Sequence, residues 1–404
     1  MIIAAAILAA LVRIVEPSAG IVPDDLIVCT HDATAFGADR TGAKDSTEAI
    51  RSAIKACDDA QGGTVFLPAG RYRVEGTLEL PGGVSLRGEW ANPETGGLGK
   101  GTILMAFAGR GDERPDAAPF VRVQSGACLR DVSVWYPEQS ASSPVPYPAT
   151  IRGSGHSTVF NVTLYNPWTG FWNNSCSSML VRRMYGTPLR LGIHGAYAYD
   201  VPRIEHVAFA PRYWAESGLP GAPEGASLAK LRSFLQKNLV GIQGGEQDWG
   251  YWWDLDLDCC QKGLFLTAVP SDDGRKLEPG NICAGNVKIR NAGVGVFVEN
   301  AGYPGFMMTF GDISARVCPL YFAARPDYAA RHGDLGAKAS YQDASSLLVT
   351  GVAFRGGRYA VASAKSGRYG VNLSDCTFSG YGNAAVRAAS GSVTVTRSRH
   401  QLYR

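Results

Sequence analysis

The segment from Phe36 to Tyr72 constrains the fold more than any other part of the chain. Its first half carries apolar residues at helical spacing behind an acidic start, which predicts a short amphipathic helix over Asp45–Ala60. Its second half reads GGTVFLPAGRY, in which two glycines end the helix, a β-branched run forms a strand and a Pro-Ala-Gly turn follows. The apolar face of this helix must be buried against other apolar residues. Because the helix leads directly into a strand, it can cover the exposed core at the open end of a stack of strands.

This segment resembles the N-terminal signature of the pectate-lyase-like, rhamnogalacturonase/epimerase-like superfamily of right-handed parallel β-helix proteins. The matching residues are Phe36, Gly37, Ala38, Gly42, Asp45, Ser46, Ala49, Ile50, Ala53, Ile54, Gly62, Gly63, Val65, Leu67, Pro68, Gly70 and Tyr72. The resemblance implies an all-β fold, a single right-handed parallel β-helix from about residue 29 to the C-terminus, capped at its N-terminal end by the predicted helix. It also implies a carbohydrate ligand, because the superfamily includes pectin hydrolases, lyases, epimerases, glucanases and phage tailspikes.

The rest of the chain carries a repeat with the period of a β-helix coil. With Val132, Val162, Met184 and Val207 as equivalent positions, the spacings are 30, 22 and 23 residues. Each coil of such a solenoid packs on its neighbours, so 404 residues form one elongated domain. Two stretches interrupt the repeat and are predicted to be loop excursions, namely 211–245, which includes a short helix, and 321–345.

Composition and the N-terminus limit the partners. A net charge of +3 with 19% charged residues gives no basic field suited to nucleic acid. The nine cysteines contain no C-x-x-C pair or zinc-ligand spacing, so they are expected to be buried small hydrophobes, and no metal site is predicted. The apolar run Met1–Val12 is too short to span a bilayer; with the small residues that follow, it resembles a signal peptide over residues 1–20. We therefore expect a secreted, periplasmic or cell-surface protein, although a first strand or helix is the alternative.

The candidate catalytic groups are carboxylates. Asp254, Asp256 and Asp258 alternate, and on one strand neighbouring members would point the same way, about 6.6 Å apart. That separation suits an inverting glycoside hydrolase, whose acid and base lie roughly 6.5 to 9.5 Å apart. We expect Glu205 to pair with Asp248 or Asp256 as acid and base, with Asp254 as a further candidate. Alternatively, the aspartates are structural or bind Ca²⁺.

Aromatic residues accompany these acids. Trp249, Tyr251, Trp252 and Trp253 directly precede them, and Trp168 lies in a second aromatic stretch, NPWTGFWNN. Because aromatic faces pack against the apolar faces of sugar rings, these five side chains are predicted to bind substrate. Alternate tryptophans on a strand would instead be core residues.

Two polar residues, His194 and Arg203, complete the predicted substrate site. The sequence thus favours a secreted glycoside hydrolase that cleaves a polysaccharide without a cofactor. One alternative is a Ca²⁺-assisted polysaccharide lyase, for which Lys262, Lys288 and Arg290 are the basic candidates. A second alternative is a glycan-binding or tailspike-like module without catalysis. The glycan and the oligomeric state are left open.

Overall fold

Parallel strands stack from His31 to Gln401 in the computed structural model of the protein. The structure describes residues 12–270, 276–277, 279–299, 305–322, 346–363, 370–388 and 393–401. Successive coils pair in parallel register, so the predicted parallel β-helix is confirmed. Each complete coil passes in turn through three sheets, which we call sheets A, B and C.

Sheets A and B share many strands. Strands that run from sheet A into sheet B are Cys128–Trp135, Thr158–Leu164, Leu180–Gly186, Arg203–Phe209, Gly250–Asp258 and Ser346–Arg355. Two longer strands, Ile282–Val298 and Gly305–Phe322, continue into sheet C. Sheet A also contains His31–Asp32, Gly63–Phe66, Val84–Arg87, Gly370–Ser374 and Val393–Thr396, and sheet B also contains Gly70–Val74, Thr102–Ala106, Thr377–Ser379 and Arg399–Gln401.

Sheet C is formed mostly by short strands of its own. These are Leu78–Leu80, Val121–Val123, Ala149–Gly153, Thr169–Asn173, Leu191–Gly195, Val240–Gly244, Lys262–Leu266, Tyr359–Ser363 and Ala384–Arg387. Two antiparallel pairs lie outside the three sheets, namely Arg13–Val15 with Ile27–Cys29 and Val269–Pro270 with Lys276–Leu277.

A residue in the left-handed conformation turns each coil from sheet A to sheet B. In the central coils these residues are Asp131, Asn161, Arg183, His206, Asp254 and Asn286, with φ between 49° and 59°. Asn and Asp tolerate this conformation better than most residues. The turn interrupts the inward and outward alternation of Gly250–Asp258. The expectation that Asp254, Asp256 and Asp258 extend one regular row is therefore wrong, since Asp254 is the corner and Asp256 lies on sheet B.

Helix α1, Thr47–Asp59, caps the N-terminal end of the stack, as predicted. It begins two residues later than expected, because Asp45 lies before the helix and its side chain accepts a hydrogen bond from the Thr47 backbone N–H at 3.0 Å. Ile50, Ala53, Ile54 and Cys57 are the apolar side chains that α1 buries. All nine cysteines are free thiols and most are buried, which confirms their expected role as small hydrophobes.

A column of glycines lets sheet C approach the core closely. One glycine of each central strand stacks on the next coil: Gly170, Gly192, Gly241, Gly263 and Gly295. A Cβ on Gly192 would lie 2.3 Å from the carbonyl oxygen of Gly241 and 2.3 Å from the Phe209 ring. No side chain fits there, so these strands require glycine at that position.

The two predicted excursions differ in what the structure describes. Residues 211–239 leave sheet B and contain α2, Arg212–Ala215, and α3, Gly225–Asn238, before Val240–Gly244 joins sheet C. Of the second stretch, residues 321–322 end a strand, and 323–345 lie outside the described residues.

Residues 12–30 pack along the outside of the first coils. Asp25 accepts hydrogen bonds from Arg87 and Arg130. Asp24 pairs with Arg183, which lies three coils beyond that of Arg87. Residues 1–11, which hold most of the apolar run interpreted as a signal peptide, lie outside the described residues. Among the helices in the described part of the chain, none combines the length and apolar character needed to cross a bilayer.

Candidate active site

Two of the predicted catalytic carboxylates lie on sheet A or the turn before it. Glu205 projects from sheet A, 3.7 Å from Arg182 Nε and 3.9 Å from Arg203 Nη1. Asp248 is exposed in the turn and accepts a hydrogen bond from the Asn281 amide at 3.0 Å.

The other two carboxylates are held by close partners on different faces. Asp254, at the corner, lies 2.6 Å from His206 Nδ1 and accepts from the Asn286 amide at 2.7 Å. Asp256, on sheet B, pairs with Arg290 at 2.6 Å. The four predicted catalytic carboxylates thus occupy sheet A, its preceding turn, the corner and sheet B.

The predicted aromatic platform is divided between core and surface. Trp252 is fully buried among the inward side chains, so its predicted contact with substrate is wrong. Trp168 packs on Phe234 of α3, with ring centroids 6.1 Å apart. Trp249, Tyr251 and Trp253 are exposed, on sheet A and the turn before it.

Sheet C carries a cavity of about 560 Å³ on its outer surface. The side chains that define it come from consecutive coils: Arg122, Arg152, Trp172, Asn174, His194 and Gln243. None of the four predicted catalytic carboxylates lines this cavity. His194 is the predicted substrate-binding residue that does, whereas Arg203 lies on sheet A.

Trp172, His194 and Gln243 form an outward-facing row on sheet C, and the sequence contains a signal for this row that the apolar repeat alone did not reveal. The strands read TGFWN, LGIHG, VGIQG and KGLFL, with glycine second, an inward apolar residue third and an outward residue fourth. The fourth positions of the first three strands are Trp172, His194 and Gln243. Aligning the strands on their stacked glycines would have identified this row.

His194 is the most unusual group in the cavity. His194 is 1% exposed, and its ring stacks on Trp172, with centroids 3.9 Å apart and planes 19° apart. Burial lowers the pKa of His194 to about 3, Arg152 adds to the shift, and Gln243 opposes it. The imidazole is therefore neutral at neutral pH.

The hydrogen bonds of His194 indicate which nitrogen carries its proton. Nε2 lies 3.3 Å from Asn174 Oδ1, and the Asn174 amide donates to the Pro270 carbonyl at 3.2 Å. Because Asn174 Oδ1 can only accept, Nε2 carries the hydrogen. Nδ1 makes no hydrogen bond of normal geometry with the described residues, although the Gln243 side chain lies near enough to favour the protonated ring.

The charge of the cavity favours an anionic ligand. Arg122 and Arg152 line it, and Asp116 is the carboxylate among its described lining residues. Arg122 also pairs with Glu79 at 3.2 Å, whereas the Nε atom of Arg152 is buried. Guanidinium groups bind carboxylates with paired, charge-assisted hydrogen bonds.

The donor set of the cavity does not fit calcium. Among the described residues, no group of three or more His, Cys, Asp or Glu side chains is arranged to hold a metal ion. One carboxylate beside two guanidinium groups is far from the roughly six to eight oxygen ligands that Ca²⁺ takes. We therefore derive no chemical step through a metal.

The row of sheet C continues beyond the cavity with aromatic rings. Phe265 and Phe297 stack on successive coils at 5.3 Å, and Lys262 Nζ lies 3.7 Å from the centre of the Phe265 ring. Of the three basic residues considered for a lyase, Lys262 lies on sheet C, whereas Lys288 and Arg290 lie on sheet B.

These features define an elongated parallel β-helix protein with a cationic cavity on one sheet. A family model described as rhamnogalacturonase A/epimerase, pectate lyase-like, matches residues 31–102. The match over residues 31–102, together with the parallel β-helix fold, confirms the predicted resemblance to the pectate-lyase-like superfamily.

Individual relatives cover the chain unevenly. Alginate lyase 7 of Azotobacter vinelandii is 39% identical over 79 residues, which is 20% of this chain and 9% of that enzyme. The match therefore spans less than a tenth of that relative's length. The A-module of mannuronan C-5 epimerase AlgE4 from the same organism superposes with a TM-score of 0.54 at 17% identity, covering 90% of this chain and 99% of that one. A GH87 α-1,3-glucanase from Streptomyces thermodiastaticus gives 0.53 at 15% identity, covering 97% and 70%. At these identities the structures share the fold alone.

Proposed function

We propose that the protein binds an acidic, uronate-containing polysaccharide along sheet C and removes the proton next to the sugar carboxylate, leading to β-elimination or epimerisation. The observation that carries this proposal is the cavity that combines Arg152 with the buried, neutral His194. The sequence similarity to an alginate lyase over a short segment supports the same substrate class.

The chemistry needs a cation and a base on the same sugar. The hydrogen on C5 of a uronate is weakly acidic, and its removal moves an electron pair onto the carboxylate. Arg152, with Arg122 beside it, would bind that carboxylate and stabilise the developing charge. His194 Nδ1 is buried in the free protein, and it would take the proton once the bound substrate displaces the side chains that cover it.

Two outcomes then remain for the electron pair. If the C4–O bond to the neighbouring sugar breaks, the departing oxygen takes up the proton held by the His194 imidazolium, and an unsaturated end remains, as in a lyase. If the C4–O bond stays intact and water donates a proton to the opposite face of C5, that centre is inverted, as in an epimerase, and His194 releases its proton to solvent. A bound carboxylate would also raise the pKa of His194 from its low value in the free protein, because a negative charge nearby favours the imidazolium.

Hydrolysis by a carboxylate pair, which the sequence favoured, is the competing proposal. The fold similarity to a glucanase is compatible with it. Against it, Asp254 and Asp256 have close partners, and the four candidate carboxylates are dispersed over different faces. Product analysis distinguishes hydrolysis from proton removal at C5, because hydrolysis gives saturated fragments.

We further propose that the protein meets its polymer outside the cytoplasm. The apolar run Met1–Val12 supports export, and a polysaccharide is too large to reach an enzyme inside the cell.

The test is digestion of a polysaccharide panel containing polymannuronate, polygalacturonate and a neutral α-1,3-glucan. We expect action on a polyuronate, seen as unsaturated ends in the ultraviolet or as a changed epimer ratio by NMR. Replacing His194 with Gln should lower turnover by about 10²- to 10⁴-fold. The exposed His156→Gln is the matched control and should retain turnover. Saturated fragments alone, or action restricted to the neutral glucan, would contradict the proposal.

A further inference from the structure

A flat aromatic surface lies on sheet A, away from the cavity on sheet C. Trp253 and Tyr251 project from the same strand, with 46% and 39% of their surface exposed. Alternate residues of a strand are about 6.6 Å apart on one face, so the two rings project side by side from the outer face of sheet A. Large aromatic side chains exposed next to each other are uncommon unless they bind something.

The next coil makes room for the Trp253 ring. Gly285 is the register partner of Trp253, and a Cβ on Gly285 would lie 2.0 Å from Trp253 Cζ3 and 2.4 Å from Cε3. The six-membered ring of the indole therefore packs against the backbone of the neighbouring strand, while nearly half of Trp253 stays exposed. Glycine weakens a strand interior and commonly marks the close approach of another group. Here the absent side chain of Gly285 leaves the space that the indole occupies.

Polar groups on the preceding coil flank this ring. Glu205 is the register partner of Trp253, and Arg203 is the register partner of Tyr251. The carboxylate of Glu205 lies 3.7 Å from Arg182 and 3.9 Å from Arg203, which is too far for direct hydrogen bonds. In contrast, Asp254 and Asp256 contact their partners at 2.6 Å. The oxygens of Glu205 and the N–H groups of both arginines thus retain capacity for a ligand.

We propose that Trp253, Tyr251, Glu205, Arg182 and Arg203 form a second carbohydrate-binding surface, separate from the sheet C cavity, for neutral hexose units of a glycan. The indole would pack against the C–H face of one sugar ring. The carboxylate and guanidinium groups would bond hydroxyls at the ring edge, since hydroxyls both donate and accept. Glu205 lies within 3.9 Å of both arginines, so its negative charge opposes the approach of a polyanion to either of them.

The location has a consequence for how the protein works on a polymer. Sheets A and C are different faces of the same rigid coil, so one protein molecule would hold a glycan on sheet A while the cavity engages a chain on sheet C. Two sites on one scaffold raise the effective concentration of substrate at the second site.

Isothermal titration of the full chain with cellohexaose, laminarihexaose and maltohexaose tests this inference. We expect binding of at least one of these neutral probes by the wild type, roughly tenfold weaker binding after Trp253→Ala, and several-fold weaker binding after Glu205→Gln. Phe310→Ala removes another exposed aromatic side chain, 64% exposed at the corner of a later coil, and should bind like the wild type. Circular dichroism and melting curves of each variant show whether the fold is kept.

The same titrations with an oligomannuronate hexamer separate this inference from the proposed function. Arg152→Gln should weaken uronate binding and leave neutral binding unchanged, whereas Trp253→Ala should do the reverse. If the wild type does not bind the uronate hexamer but binds a neutral probe, the proposed function is contradicted and the second surface is not. Equal binding by Trp253→Ala and the wild type, or no neutral probe bound at all, would overturn the second surface. Sedimentation that shows a Trp253-dependent dimer would also overturn it, because a second copy of the chain would then occupy that face.

Discussion

Trp172 stacks on His194 of the next coil, with ring centroids 3.9 Å apart. The stack covers one face of the imidazole and helps to exclude water from it. Because burial disfavours the charged form, His194 is neutral where an exposed histidine would be partly protonated. The pair thus connects the packing of two coils with the protonation state of the candidate base.

The neutral state of His194 predicts a loss of stability in acid. The pKa of His194 is about 3 in the folded protein against 6.5 for an ordinary histidine. Between these values the unfolded chain binds a proton that the folded protein does not, so the free energy of unfolding falls as the pH drops from about 6.5 towards 3. The contribution present above pH 6.5 is on the order of several kcal/mol.

Urea unfolding measured from about pH 7 to pH 4 tests this dependence. His194→Gln should flatten the decline relative to the wild type, since the group that titrates is gone. The exposed His156→Gln should leave the decline unchanged. A decline of equal slope in all three proteins would assign the acid sensitivity to other groups.

The positive charge of Arg152 should control the binding of acidic substrate. We expect Arg152→Gln to weaken binding of an oligouronate by roughly 10- to 100-fold, because a charge-assisted hydrogen bond to a carboxylate contributes about 1.5–3 kcal/mol. The salt dependence of binding should also become shallower. Titrations at low and high ionic strength measure both effects.

Arg114→Gln is the control for this charge. Arg114 is an exposed arginine paired with Asp112 outside the cavity lining. If Arg114→Gln and Arg152→Gln weaken binding alike, the effect comes from net charge and the cavity is not the site.

The glycine column of sheet C should be intolerant of side chains. Gly192→Ala places a Cβ 2.3 Å from both the Gly241 carbonyl oxygen and the Phe209 ring. The strand must shift, and we expect a loss of about 1–3 kcal/mol in the free energy of unfolding. Gly370→Ala is the matched control, because among the described residues its Cβ would meet Asn372 Nδ2 alone, at 4.0 Å. Similar melting temperatures for the two variants would show that sheet C accommodates the methyl group.

The N-terminal segment should stabilise the first coils through Asp25. Asp25 accepts from Arg87 at 2.5 Å and from Arg130 at 3.0 Å, and the Arg87 side chain is only 6% exposed. Asp25→Ala leaves a buried guanidinium with fewer partners, so we expect a loss of about 1–2 kcal/mol.

A surface pair provides the comparison for Asp25. Asp59 pairs with Lys55 on the exposed side of α1, and Asp59→Ala should cost less than about 0.5 kcal/mol. Chemical denaturation of both variants decides the point. Equal, small losses would show that the segment is not anchored by its ion pairs.

The sequence was sufficient to predict α1 and the coil repeat because both follow from apolar periodicity. It was not sufficient to predict the corner at Asp254, since a single left-handed residue changes which side chains face outward without changing the alternation of residue types. The row at Trp172, His194 and Gln243 was missed for a related reason. Each strand there is only five residues long, and its glycine is meaningful only when several coils are aligned. The pKa of His194 is lowered because a neighbouring coil buries its ring, and the sequence of a single strand does not show that contact.

The most direct test of the central claim is the fate of the C5 hydrogen when a polyuronate is treated in D₂O and followed by NMR. If His194 removes this proton, the account predicts either loss of the C5 hydrogen with formation of an unsaturated end, or its replacement by deuterium in an inverted sugar unit. The His194→Gln variant should show neither at a comparable rate. Saturated fragments that retain their original C5 hydrogen would contradict the account and would instead indicate hydrolysis.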